Sequence, residues 1–210
     1  MRGRFISLEG GEGAGKTTLI ERLRQSLLSQ GHEVVVTREP GGTPGAEDLR
    51  TLLLTGAADR WTAMTEALLM YAARVDHVER LIEPALQRGA WVLSDRFSDS
   101  TIAYQGTGGG IDLDRIRTIH LAALGDFAPD LTLILDLDPL VGLRRTVERG
   151  EDPTRFEMFD TEFHTRLRAA FTEIAHSEPQ RCVLIDASKS PDDVFEMALS
   201  HMRERLEVKA

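Results

Sequence analysis

The sequence predicts an α/β fold: a doubly wound, five-stranded parallel sheet flanked by helices, in one domain spanning residues 1–210. Three observations predict it. Short β-branched and apolar runs alternate with longer segments of helical period; helix follows strand along the whole chain; and the first strand runs into a glycine-rich loop that opens the first helix. With 210 residues, 41% of them hydrophobic and 28% charged, the chain is long enough to bury one sizeable core.

Taken in order, strands are expected at residues 5–8, 33–37, 90–94, 131–137 and 181–186, each a short apolar run suited to a sheet covered on both faces. Helices are expected at residues 16–29, 44–54, 63–88, 112–125, 140–149, 158–176 and 191–206. In the third helix Leu68, Tyr71, Val75, Val78 and Ile82 recur at three- and four-residue spacing and should form its core face. Met70, Arg74 and His77 line an adjacent stripe that could border a cavity. Residues 106–110, the densest glycine patch, read as a loop between helices.

Composition excludes several function classes. The 25 basic and 34 acidic residues give a net charge of -9, which argues against a general nucleic-acid-binding surface. Only Lys16, Lys189 and Lys209 are lysines, so the cations are overwhelmingly arginine. The lone Cys182 lies in an apolar run and reads as a buried structural thiol. No apolar run approaches the roughly 18 to 20 residues a membrane span needs, and residues 1–4 lead into a strand, so no membrane partner and a cytoplasmic location are expected.

The chemistry starts at Gly10-Gly11-Glu12-Gly13-Ala14-Gly15-Lys16-Thr17, which fits G-x-x-x-x-G-K-[ST] between a strand and a helix and is followed by Thr18. Glycines let the backbone close around phosphate oxygens, so that amide N–H groups and the positive helix end face the anion. Lys16 should reach the β- and γ-phosphates of a nucleotide, and the Thr17 hydroxyl can ligate the Mg²⁺ that bridges them. This is P-loop kinase, GTPase or ATPase architecture. Asparagine is absent, so the Asn-Lys-x-Asp signature of guanine-specific switches is absent too.

Three further segments bear on the class. Asp95-Arg96 stands at the carboxyl end of the third strand, where ligands collect in doubly wound sheets; the aspartate suits Mg²⁺ or its waters and the arginine suits an acceptor phosphate. Thr37-Arg38-Glu39-Pro40-Gly41-Gly42-Thr43 is a polar loop in which Pro40 holds Glu39 extended. The stretch from Arg144 to Arg155, part of a short lid expected at about 144–157, fits either a solvated helix face or a lid whose arginines close over transferring phosphates. A monophosphate acceptor would need no general base, its second pKa being about 6, which suits a site rich in arginine.

In this order, the P-loop, the 37–43 loop, Tyr71-Ala72-Ala73-Arg74, Asp95-Arg96-Phe97, Ala103-Tyr104-Gln105-Gly106, the arginine-rich stretch and Ile185-Asp186 resemble the thymidylate kinases across nearly the whole chain. The resemblance implies transfer of the ATP γ-phosphoryl group to dTMP, giving dTDP on the way to dTTP. It further implies that Arg38, Arg50 and Arg96 hold the dTMP phosphate, with Glu39 and Pro40 in the same loop, and that Glu12 lies near the sugar hydroxyl or the metal. Arg74 would read the thymine edge, Thr101 and Gln105 would flank the base, and Tyr104 would pack on the deoxyribose. Gly13 places the chain with the bacterial form, whose catalytic arginine comes from the lid; Arg149 and Arg155 are the candidates beside Lys16 and Arg96. Arg144 and residues 187–189 would line the adenine site, and a homodimer is implied. Two positions depart from the family pattern: Met70 replaces the usual stacking aromatic, and Thr154 precedes Arg155 where aspartate is common. A kinase of another small acceptor and a non-kinase P-loop ATPase switch are the competing readings.

Overall fold

A computed structural model of the protein describes residues 2–57, 59–148, 155–156 and 158–206. Five strands, β1 (Phe5–Gly10), β2 (Val34–Arg38), β3 (Trp91–Asp95), β4 (Leu131–Asp136) and β5 (Cys182–Asp186), form an all-parallel sheet in the order β2-β3-β1-β4-β5. The central strand β1 pairs with β3 on one side, Leu8 opposite Asp95, and with β4 on the other, Gly10 opposite Leu135. The chain therefore changes direction across β1, and the carboxyl ends of β1 and β3 flank the crevice of the topological switch point.

Alternation along the strands sorts side chains between two layers. Ile6 and Leu8 of β1, Leu131, Leu133 and Leu135 of β4, and Leu19, Leu23 and Leu27 of helix α1 (Lys16–Ser29) share one cluster with Ala198, Leu199 and Met202 of the last helix (Pro191–Leu206). Truncating a leucine such as Leu23, which is fully buried, should cost about 2–5 kcal/mol. The opposite face is apolar at its amino end, where Phe5 and Phe97 meet edge to face at 4.9 Å. Toward the site it turns polar: Ser7, Glu9, Ser94 and Thr132 are fully buried. Their hydrogen bonds offset the cost of burial; Ser7 Oγ donates to Glu9 at 3.1 Å, and Ser94 Oγ donates to the Arg96 carbonyl at 2.7 Å.

Helices α2 (Pro44–Leu54) and α3 (Ala63–His77) start at Thr43 and Thr62, whose side chains accept first-turn N–H groups. The helix expected over 63–88 is not uniform: a π turn over Val78–Ile82 joins α3 to α4 (Glu83–Gln87). Pro84 explains the break, since it has no N–H to donate to the preceding turn. The face of α3 also differs from expectation. Tyr71, Val78 and Ile82 are buried, but Leu68 is 52% exposed, and the buried stripe carries Glu66, Arg74 and His77. Polar partners, not apolar spacing, orient this helix.

After β3 come α5 (Ser98–Thr101) and a second π turn, Ile102–Gly108, which takes in part of the expected glycine loop. Helices α6 (Leu113–Leu124), α7 (Pro139–Glu148), α8 (Thr161–Ser177) and α9 (Pro191–Leu206) complete the chain. Helix α8 starts three residues later than expected because Asp160 caps it, accepting the Phe163 N–H at 2.7 Å.

Candidate active site

The loop after β1 owes its shape to glycine: Gly10, Gly13 and Gly15 have φ of 126°, 65° and 97°. Gly15 also leaves α1 with no side-chain cap, in contrast to α2 and α3, so its first-turn N–H groups remain available to an anion. Lys16 curls back on the loop, its Nζ donating to the carbonyls of Gly10 at 3.2 Å and Gly11 at 3.0 Å. Burial and the nearby Arg96 charge lower the Lys16 pKa, against the pull of Asp95 and Glu12. Thr17 Oγ1 lies 3.5 Å from Asp95 Oδ2.

A cavity of about 670 Å³ opens from this loop. Residues 12–19 line it with Arg22, Arg145, Ala187, Lys189 and Val194, and so do Arg38, Glu39, Pro40, Arg50, Met70, Arg74, Asp95, Arg96, Thr101, Tyr104 and Gln105. Most residues expected at the site from sequence are thus brought together. Gly10 and Gly11 sit behind it, their carbonyls turned to Lys16.

Arg96 is the hub. Its φ of 74° is uncommon for a side chain with a Cβ, and its contacts hold it there. The backbone N–H donates to Leu8 at 2.9 Å, Nη1 to the Gly10 carbonyl at 3.0 Å and Ser100 Oγ at 3.2 Å, and Nη2 to Glu12 at 2.8 Å. Burial alone would raise the Glu12 carboxyl; Arg96, Lys16 and the Tyr104 hydroxyl, which donates at 2.8 Å, outweigh it and hold the group at about 2. Tyr104 itself is pushed well above its ordinary value by burial, with Glu12 adding to the shift.

Arg74 is buried on a second network. Its Nε donates to Glu39 at 2.6 Å, and Nη2 donates to the Phe97 carbonyl at 3.2 Å and Thr101 Oγ1 at 3.1 Å. Its Nη1 has no hydrogen-bond partner among the described residues. The other Glu39 oxygen faces His77 Nδ1 at 3.0 Å, and His77 Nε2 faces Thr37 Oγ1 at 2.7 Å. Both Glu39 oxygens are therefore engaged, one by Arg74 and the other by His77. The Glu39-Pro40 bond is cis. The Pro40 carbonyl accepts Arg50 Nη1 at 2.8 Å, and Arg38 Nη2 reaches both oxygens of Glu47 at 3.0 and 3.2 Å.

The arginine-rich stretch departs from expectation in two places. Both Arg144 and Arg145 are exposed, but only Arg145 lines the cavity, with Nη1 3.4 Å from the Gly13 carbonyl, because helix α7 turns that side toward the loop. Arg155, expected to reach phosphates, is instead buried and pinned: Nε and Nη1 donate to the carbonyls of Ala57 at 2.7 Å and Leu53 at 2.8 Å, and Nη2 to Glu66 at 2.7 Å. Arg149 lies outside the described residues. Sequence reading missed Glu9, Glu66, Ser100, Arg145 and Phe156, which act through contacts between distant segments and carry no motif of their own.

Among the described residues no three His, Cys, Asp or Glu side chains form a metal cage. Thr17 and Asp95 offer hard oxygen ligands beside the loop, the sparse protein share typical of a Mg²⁺ held largely by nucleotide phosphates. No helix among the described residues is long and apolar enough to cross a membrane.

Comparison with known proteins agrees with this geometry. The family model described as thymidylate kinase matches residues 8–198. A thymidylate kinase of Caulobacter vibrioides is 58% identical over 193 residues, 92% of each chain, and one of a Bradyrhizobium species is 52% identical over 207 residues, 98% of this chain and 92% of the relative. The crystal structure of thymidylate kinase from Ehrlichia chaffeensis superposes with a TM-score of 0.79 at 33% identity, covering 96% of this chain and all of that one. The phosphate loop, the arginine-lined cavity behind it and these likenesses together place the chain in the thymidylate kinase family.

Proposed function

We infer that the chain transfers the γ-phosphoryl group of ATP to dTMP, giving dTDP and ADP, as membership of the thymidylate kinase family implies. The observation that carries the residue-level reading is that one cavity is lined both by Lys16 and Thr17 of the phosphate loop and by Arg38, Arg50, Arg74 and Arg96, and that the buried Nη1 of Arg74 has no hydrogen-bond partner among the described residues. ATP phosphates occupy the loop, with the adenosine toward Arg22, Ala187, Lys189 and Val194. The dTMP phosphate meets Arg38, Arg50 and Arg96, and the base meets Met70, Arg74, Thr101 and Gln105.

Catalysis in this arrangement is positioning and charge neutralisation. The acceptor phosphate is already an anion near neutral pH, so no side chain has to remove its proton. Lys16 and Arg96 neutralise charge on the transferring group, Arg145 adds to them from α7, and Tyr104 packs against the sugar while tying Glu12 in place. Thr17 and Asp95 would hold Mg²⁺ together with the nucleotide, and the ion would supply Lewis-acid neutralisation of the phosphate oxygens. Arg74 Nη1 donates to a carbonyl of the base, which satisfies a buried donor that has no partner among the described residues.

The chain pairs as a homodimer through α3 and α6. Leu68 on α3 is 52% and Leu121 on α6 58% exposed, and the two helices pack together at Tyr71 and His120. Light scattering of the wild type beside Leu121→Glu tests this; a wild-type monomer excludes it. The function itself is tested by ADP release with ATP, Mg²⁺ and dTMP, dUMP, dCMP, dGMP, AMP or thymidine, run beside Arg96→Ala. Turnover with dTMP that the variant loses is expected. Turnover only with another acceptor would discard the thymine pocket, and ADP release indifferent to every acceptor would favour an ATPase switch.

A further inference from the structure

Glu66 is 7% exposed, Gln105 2% and Arg155 1%, and the three form one chain of contacts. Arg155 Nη2 donates to Glu66 Oε1 at 2.7 Å, and Gln105 Nε2 donates to Glu66 Oε2 at 3.2 Å. Of these, Gln105 alone lines the cavity. We propose that Glu66 is a positioning residue that fixes the Gln105 amide with its nitrogen turned away from the acceptor base and its carbonyl oxygen presented to it, so that the pocket selects a base bearing a ring N–H.

The argument is one of hydrogen-bond capacity. An amide side chain fits a site equally well in either orientation, and its neighbours decide which end goes where. An ionised carboxylate only accepts, so beside Glu66 the amide nitrogen is the end that bonds. Arg155 donates to the other Glu66 oxygen, so the carboxylate is held between two donors and faces Gln105 as an acceptor. No donor among the described residues reaches Gln105 Oε1, which leaves that oxygen for the base.

The frame around the pair is rigid. The carbonyls of Leu53 and Leu54, in the last turn of α2, accept from Arg155 Nη1 at 2.8 Å and from its backbone N–H at 3.4 Å. A cation at a helix carboxyl end is favourable, and so is Glu66 in the first turn of α3. The guanidinium thus ties two helix ends together and hands a fixed anion to Gln105.

A carbonyl oxygen in the pocket accepts from the ring N3–H of thymine or uracil and faces the bare N3 lone pair of cytosine. Paired with the Arg74 Nη1 donor, it reads a carbonyl next to an N–H. This rests on the reading of the cavity as a pyrimidine monophosphate site. It assigns Glu66, which does not line the cavity, a part in choosing the base, and it makes Arg155 a support for the base pocket.

The test compares kcat/KM for dTMP and dCMP in the wild type, Glu66→Gln, Gln105→Met and the double variant. Glu66→Gln frees the amide to turn over, so the dTMP preference should fall about tenfold or more, with KM for dTMP rising more than kcat falls and KM for ATP unmoved. Gln105→Met keeps the Glu66–Arg155 pair and should lose the same preference, and the double variant should lose no more than either alone. If Glu66→Gln does not fold by circular dichroism, Glu66→Asp, which keeps the charge but draws the acceptor back from Gln105, takes its place and should lose the same preference. A preference kept in the Glu66 variant or in Gln105→Met, or losses that add in the double variant, would overturn the proposal. Failure of the wild type to phosphorylate dTMP would instead overturn the functional reading beneath it.

Discussion

Arg96 and Glu12 meet at 2.8 Å, Nη2 to Oε1, and the same carboxylate oxygen accepts the Tyr104 hydroxyl at 2.8 Å. One oxygen thus links the end of β3, the phosphate loop and the second π turn. Because Arg96 also donates to the Gly10 carbonyl, the acceptor side of the cavity and the ATP loop share a single guanidinium. Arginine alone has the planar fork that spans these partners.

Arg96→Lys should therefore act on chemistry more than on folding. An ammonium is a point charge and cannot reach Gly10, Ser100 and Glu12 together. We expect kcat/KM for dTMP to fall by about 10²–10³, the usual cost of one transition-state donor, while KM for ATP changes less. Steady-state kinetics with each substrate varied in turn would show it. A fall confined to ATP binding would place Arg96 on the donor side alone.

Glu9 makes stability depend on pH. Fully buried, it accepts from the Phe97 N–H at 2.7 Å and Ser100 Oγ at 2.6 Å. Burial, with help from the Asp99 charge, pushes its carboxyl from the ordinary 4.5 up to about 7, against Arg96 and those two hydrogen bonds. Below pH 4.5 both folded and unfolded chains hold the proton. As pH rises from there the unfolded chain releases it first, so the contribution of Glu9 to stability falls and is lost as pH passes through about 7. Glu9→Gln should flatten urea midpoints between pH 5 and 7.5 relative to the wild type; an unchanged slope would assign the dependence to other groups.

Helix α7 seats on the phosphate loop through two glycines. A Cβ at Gly142 would stand 2.2 Å from the Glu12 carbonyl, and one at Gly13 would stand 2.1 Å from the Gly142 carbonyl. Both obstacles are backbone, so neither can swing aside. Gly142→Ala should push α7 off the loop, cost about 1–3 kcal/mol in stability and raise KM for ATP about tenfold. Thermal melts with and without ATP would measure both effects, since ligand stabilisation follows affinity. An equal shift on ATP addition in variant and wild type would show that α7 is not needed in that seat.

What was legible in the sequence was what local chemistry writes there. Strand and helix order followed from apolar runs and caps, and the P-loop announced its own strand and helix. The breaks came where contacts between distant segments decide. Leu68 has the spacing of a core residue, yet α3 rotates to bury Arg74 against Glu39 at 2.6 Å and Glu66 against Arg155 at 2.7 Å, partners 35 and 89 positions away. The periodicity of α3 does not register such partners. Pro84 lies inside the helix expected over 63–88, and its effect, a π turn instead of a stop, depends on how the flanking turns are held.

The arginines after β4 illustrate the same limit and yield the last prediction. Composition marks residues 144–155 as cationic without saying which side chain faces phosphate. Helix α7 separates adjacent residues by about 100° (3.6 residues per turn), so Arg144 and Arg145 point different ways; Arg145 lines the cavity with Nη1 3.4 Å from the Gly13 carbonyl, and Arg144 does not line it. Arg145→Ala should lower kcat by about 10- to 100-fold, the effect of losing a cation beside the transferring phosphate, while Arg144→Ala stays within about twofold, as a surface charge outside the cavity should. Arg155→Ala separates pocket support from phosphate contact. Leaving Glu66 buried without its cation should cost about 3–5 kcal/mol in stability, and the kinetic loss should appear in discrimination between acceptor bases. A selective loss of kcat in Arg155→Ala, with stability and base preference intact, would return Arg155 to the phosphates and contradict its buried position.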